Sequence, residues 1–129
     1  MTRLPNVINL KDADGAEIKS YALTSGTSVY SEPLQTRYMI GWQALNITDV
    51  GGSDDIDINY EVSLDGKTWF TPQSTNGTSL TSLGSIVVAL TADAWIDLST
   101  RMVYAPWTRF QFDPDANSTI TAQYCHQEE

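Results

Sequence analysis

Residues 56–65 alternate with a period of two. Ile56, Ile58, Tyr60, Val62 and Leu64 fall on one side, and Asp57, Asn59, Glu61, Ser63 and Asp65 on the other. Successive side chains of a strand point to opposite faces, so the run predicts a half-buried antiparallel strand with a wet outer face. Asp65-Gly66-Lys67 follows as a turn, and Trp69 and Phe70 open the next strand. Glycine accepts the positive φ that such a hairpin needs.

The same period recurs along the chain. Thr108, Phe110 and Phe112 alternate with Arg109, Gln111 and Asp113, and Ile120, Ala122 and Tyr124 alternate with Thr121 and Gln123. Ile86, Val88 and Leu90 alternate in a shorter apolar run. From Tyr38 to Thr48, Tyr38, Ile40, Trp42 and Ala44 share one phase, and Leu45 and Ile47 shift to the other. That shift predicts a β-bulge near Ala44 or Leu45 and a Trp42 that fills the core. Residues 7–10 and 17–23 are shorter strand candidates, and Val29-Tyr30 before Pro33 suits an edge.

Turn-forming residues separate these runs at 11–15, 49–55, 72–84 and 113–117. Only Leu90 to Thr100 leaves room for a helical turn. About eight short strands in 129 residues predict an all-β fold, one antiparallel β-sandwich of jelly-roll or immunoglobulin-like type over residues 1–129. A closed barrel is the structural alternative. Residues 1–10 read either as an N-terminal arm or as the first strand.

Composition narrows the function classes. Sixteen acidic against seven basic residues give a net charge of −9, which argues against nucleic acid as a partner. Four Trp, six Tyr and three Phe argue against an acidic disordered chain. Cys125 has no intramolecular disulfide partner, the first six residues lack the apolar stretch of a signal peptide, and no run is long enough to span a membrane. Folding in a cytoplasm is the expectation.

Candidate chemistry is sparse. The single His, His126, sits three residues from the end, where termini fray, and lacks the rigid neighbours of a general base. No CxxC, HExxH or phosphate-binding glycine loop occurs. Asp12-x-Asp14-Gly15, Asp54-Asp55-x-Asp57 and Asp113-x-Asp115-x-Asn117 offer oxygen ligands but lack the full EF-hand pattern, so they read as solvated turn acids. No catalytic residue, metal or cofactor is expected. Trp69, after the hairpin, and Trp107, after Pro106, are the candidate binding aromatics, with packing over a sandwich edge the commoner fate of such residues, and Leu4, Val7, Ile8 and Leu10 make the N-terminus too apolar for a free tail.

Ile56 to Trp69 contains Ser63-Leu64-Asp65-Gly66-Lys67-Thr68-Trp69, which resembles the S-x-D-G-x-x-W hairpin of many small phage virion β-sandwich proteins. Tyr104-Ala105-Pro106-Trp107-Thr108-Arg109-Phe110-Gln111-Phe112 is similar to the strand that often accompanies it there. The resemblance covers the middle and C-terminal halves and leaves residues 1–37 unmatched. It implies a non-enzymatic component of a tailed-phage particle, such as a capsid decoration protein or head fibre. Such proteins are assembled in the host cytoplasm, bind capsid or other virion protein, and are often trimeric. Leu4, Val7 and Ile8 are candidate contacts with a neighbouring subunit. The same hairpin occurs in carbohydrate-binding sandwiches, so the rival expectation is a sugar-binding module using Trp69 or Trp107.

Overall fold

The computed structural model describes residues 6–36, 42–52, 55–99 and 102–127. Among these residues there are twelve strands and no helix. In chain order they are β1 (Asn6–Asn9), β2 (Tyr21–Leu23), β3 (Val29–Tyr30), β4 (Leu34–Gln35), β5 (Gln43–Gly52) and β6 (Ile56–Ser63). They continue as β7 (Gln73–Thr75), β8 (Leu80–Ser82), β9 (Ser85–Leu90), β10 (Ala94–Asp97), β11 (Trp107–Pro114) and β12 (Ser118–His126). All pairings are antiparallel. Among the described residues no helix is long and apolar enough to cross a membrane, which says nothing of a β-barrel.

Two five-stranded sheets face each other in a sandwich-like arrangement. The first runs β1-β12-β5-β10 with β2 also on β12, and the second runs β3-β11-β6-β9 with β4 also on β11. The first sheet turns Leu45, Ile47, Ile120 and Tyr124 inward; the second answers with Ile56, Ile58, Tyr60, Phe110 and Phe112. These side chains are at most 1% exposed, and the Phe110 and Tyr124 rings meet across the interface at 5.6 Å. The period of two thus does what the sequence implies: one face of each central strand joins a common core.

Residues 6–36 complete the edge of both sheets. β1 lies opposite Gln123 to His126 and β2 opposite Ser118 to Ile120, on the same side of β12. The gap is closed by Leu10 N–H donating to Ala122 O and Ala122 N–H donating to Ile18 O. β3 and β4 line up similarly along β11. Their gap is filled by buried Ser31, whose N–H donates to Phe110 O and whose hydroxyl oxygen accepts the Phe110 N–H.

Several expectations are corrected. The strand count rises to twelve because two- and three-residue edge strands are too short to show a period. The bulge of β5 is not at Ala44 or Leu45: the register with β12 shifts between Thr119 and Thr121, opposite Asp49 at φ 55°. Asp49 is held in that left-handed conformation by the Thr121 hydroxyl on its carboxylate at 2.6 Å and the Thr119 hydroxyl on its carbonyl. Val88 points outward, 74% exposed, because two register shifts and Ala89 at φ 59° interrupt β9. Leu64 lies past the end of β6 and is exposed. The loop expected at 72–84 contains the exposed ribbon of β7 and β8, closed by Asn76 accepting the Thr78 and Ser79 N–H groups. The segment allowed a helical turn forms β10 instead. Tyr38 and Ile40 lie outside the described residues.

Candidate binding faces

The two sequence motifs that are about forty residues apart meet in space. At the end of β6 the Ser63 hydroxyl oxygen accepts the Asp65 and Gly66 N–H groups. The Asp65 carboxylate then accepts the Lys67 and Thr68 N–H groups at 2.8 and 2.9 Å. These bonds hold the carboxyl down at a pKa of about 2, the Thr68 and Lys67 amides contributing most, followed by the Ser63 hydroxyl. The turn is therefore longer than a two-residue hairpin. Phe70 returns to pair with Val62 in a single bridge before the chain leaves for β7.

Trp107, opposite Ser63 in the ladder, lays its indole over Gly66. A Cβ there would sit 3.2 Å from the ring, and Gly66 has φ +75°. Arg109, two residues on, pairs with Glu61 across the ladder, Nη2 to Oε1 at 2.6 Å and Nε to Oε1 at 2.8 Å. Its guanidinium lies 4.1 Å from the Tyr30 ring centre and 4.7 Å from that of Trp69. Trp69 and Trp107, the two candidate binding aromatics, are half-buried and packed into this cluster.

Three large exposed side chains flank these elements along the chain. Leu64 follows the last residue of β6, Phe70 bridges Val62, and Tyr104 stands three residues ahead of Trp107. They are 83%, 62% and 66% exposed. Beside β6, a polar hollow of about 240 Å³ is lined by Asn59, Glu61, Thr71, Ser82, Ser85 and Gln111. Its carboxylate is engaged with Arg109.

The outer face of the first sheet carries a different set. Trp42 is not in the core: it is exposed, as is Trp95, and their ring centres lie 6.4 Å apart. The core phase of β5 is that of Leu45 and Ile47, so Trp42 and Ala44 fall on the opposite face. Trp95 pairs with Asn46, which pairs with Gln123, which lies opposite Asn9. The side chains of this row are joined: Asn46 Nδ2 donates to Gln123 Oε1 at 3.2 Å, and Gln123 Nε2 donates to Asn9 Oδ1 at 2.9 Å.

The remaining sequence candidates fall elsewhere. Val7 is exposed in β1 and Ile8 packs against the core, opposite Cys125 and Tyr124 respectively. Leu4 lies outside the described residues. His126 is not frayed: β1 and β5 flank it, and its buried ring stacks on Tyr124 at 5.4 Å. Cys125 is buried between the same strands, and burial pushes its thiol pKa up.

The Asp12 carboxylate accepts the Asp14 and Ala16 N–H groups and the Tyr21 hydroxyl, which holds its pKa below the usual range, Tyr21 first. Asn117 accepts the Ser25 N–H and Asp113 the Ser28 hydroxyl. Among the described residues no group of three His, Cys, Asp or Glu is arranged to hold a metal. No family model, no curated protein and no solved structure matches the chain.

Proposed function

We propose that the protein is a non-enzymatic structural component of a tailed-phage particle, a homo-oligomer, as a trimer, that binds capsid or other virion protein. The observation that carries this reading is the contact of Trp107 with Gly66, extended by Arg109 between Trp69 and Tyr30. It joins the two motifs of the phage resemblance into one unit, so they report one architectural device instead of two coincidences. The exposed Leu64, Phe70 and Tyr104 beside it supply apolar surface of the kind that marks protein contacts.

The strand order supports a jelly-roll form of the sandwich. Taking β1 with β2, and β3 with β4, as single interrupted strands, and setting the β7–β8 ribbon aside as an insertion, leaves about eight strands. The sheets then interleave as first, eighth, third, sixth and second, seventh, fourth, fifth. That doubly wound Greek-key order recurs in viral capsid and lectin domains. Fold alone does not choose between them; the motif unit favours the capsid side.

Mass spectrometry of particles purified from the strain that carries the gene tests this reading. The chain is expected in fixed proportion to the major capsid protein. Its absence from every particle overturns the reading.

A further inference from the structure

We infer that the outer face of the first sheet is a platform for a neutral oligosaccharide, built on Trp42 and Trp95 and the amide row Asn46–Gln123–Asn9. This site lies on a different surface from the apolar end assigned to virion contact and does not depend on that reading.

Trp95 faces Asn46, four residues beyond Trp42, yet the two ring centres are only 6.4 Å apart. The indoles therefore lean towards each other along the sheet, above Ala44, which is 1% exposed although it belongs to the outer phase of β5. A small residue between them lets both rings lie low on the surface. Each keeps accessible area, and Trp95, on an edge strand, is 60% exposed. Large aromatic surface left in water is costly, and the C–H face of a pyranose ring covers an indole without requiring a hydrogen bond from it.

The amide row supplies what the rings cannot. It begins directly beside Trp95 and crosses three strands. An amide NH2 has two donors, and each bond in the row uses one. The unused donors and the Asn46 and Asn9 acceptor capacity offer paired donor and acceptor positions for sugar hydroxyls. None of the strands of this sheet, β1, β2, β5, β10 and β12, contains Lys or Arg, so the strands themselves offer an anionic polymer no counter-charge. Aromatic stacking beside neutral amides is the chemistry of neutral sugar recognition; a purely apolar protein contact would leave these amides under-satisfied.

The test is an array of neutral oligosaccharides, followed by titration of cellohexaose and chitohexaose into the full chain, read by calorimetry and tryptophan fluorescence. Binding of at least one glycan is expected, with a change in emission. Trp95→Ala should weaken it at least about tenfold, the scale of one lost aromatic contact. Asn46→Ala should weaken it as well, while Val88→Thr, on the edge of the other sheet, should not. Thermal unfolding of each variant separates lost binding from lost folding, and Asn46→Ala carries the test should Trp95→Ala fail to fold. No binding across the array overturns the proposal, as does binding that both variants retain. A concentration-dependent oligomer that Trp95→Ala dissociates, without sugar binding, assigns the face to a second copy of the chain and equally overturns it. Unchanged incorporation of Trp95→Ala into particles keeps the outcome separate from the virion reading.

Discussion

The guanidinium of Arg109 lies 4.7 Å from the centre of the Trp69 ring, with the Tyr30 ring at 4.1 Å and Glu61 paired at 2.6 Å. Three side chains, from β3, β6 and the turn after β6, thus converge on the one cation that β11 supplies. Arginine suits this place because its planar head can stack on rings while it donates to a carboxylate. The ion pair is about a quarter exposed, so solvent screening discounts it, and the rings contribute the rest.

Arg109→Met keeps the apolar stem and removes the charge and the planar head. A loss of about 1–2 kcal/mol is expected, the sum of a discounted ion pair and ring contacts. Urea unfolding followed by Trp emission measures it, and the native spectrum should shift because Trp69 loses its partner.

Gly66→Ala meets two obstacles, a φ of +75° and a Trp107 ring 3.2 Å from the new Cβ. The backbone cost alone is about 1–2 kcal/mol. Leu64→Ala, at an exposed position in the same turn, should cost far less. Equal losses in the two variants would contradict the role given to Gly66.

Acid should weaken the turn in a defined window. The Asp65 carboxyl is held at about 2, below its ordinary value of 3.8, by the Thr68 and Lys67 amides and the Ser63 hydroxyl. The unfolded chain therefore takes up the proton first, and the contribution is full above pH 3.8 and disappears as pH falls towards about 2. Asp12, lowered chiefly by the Tyr21 hydroxyl, acts in the same direction. Unfolding midpoints of the wild type and Asp65→Asn between pH 5 and 2 should differ at the upper end and converge at the lower.

Cys125 should behave as a buried thiol. It is 3% exposed and burial raises its pKa. A water-soluble disulfide reagent should leave the native chain unmodified over the time in which it modifies one thiol per chain in concentrated urea. Rapid native labelling would show that β1 does not stay on β12.

The core strands were legible because a buried face repeats every second residue over five or more positions, as in Ile56-Ile58-Tyr60 and Ile120-Ala122-Tyr124. Bulges were misplaced or missed because one extra residue at Asp49 or Ala89 is fixed by tertiary hydrogen bonds and register, which leave no local mark. Trp42 was misread because β5 carries apolar residues on both faces, so phase alone could not name the core side. For Trp69 and Trp107 the sequence leaves packing and exposure both open; only the fold shows that Gly66 and Arg109 engage them. The partner of Trp95 was invisible for the same reason, since Asn46 and Gln123 are far from it in sequence and adjacent only through the ladder.

The most direct test of the structural role is electron microscopy of particles purified from the strain that carries the gene, compared with particles from a deletion complemented by Phe70→Ser, Leu64→Ser. Wild-type particles should show ordered density at symmetry-related positions into which the two-sheet fold fits, and the doubly substituted chain should leave those positions empty while remaining folded in solution. Wild-type particles without such density, or full occupancy by the substituted chain, would contradict the assignment of that apolar end to virion contact.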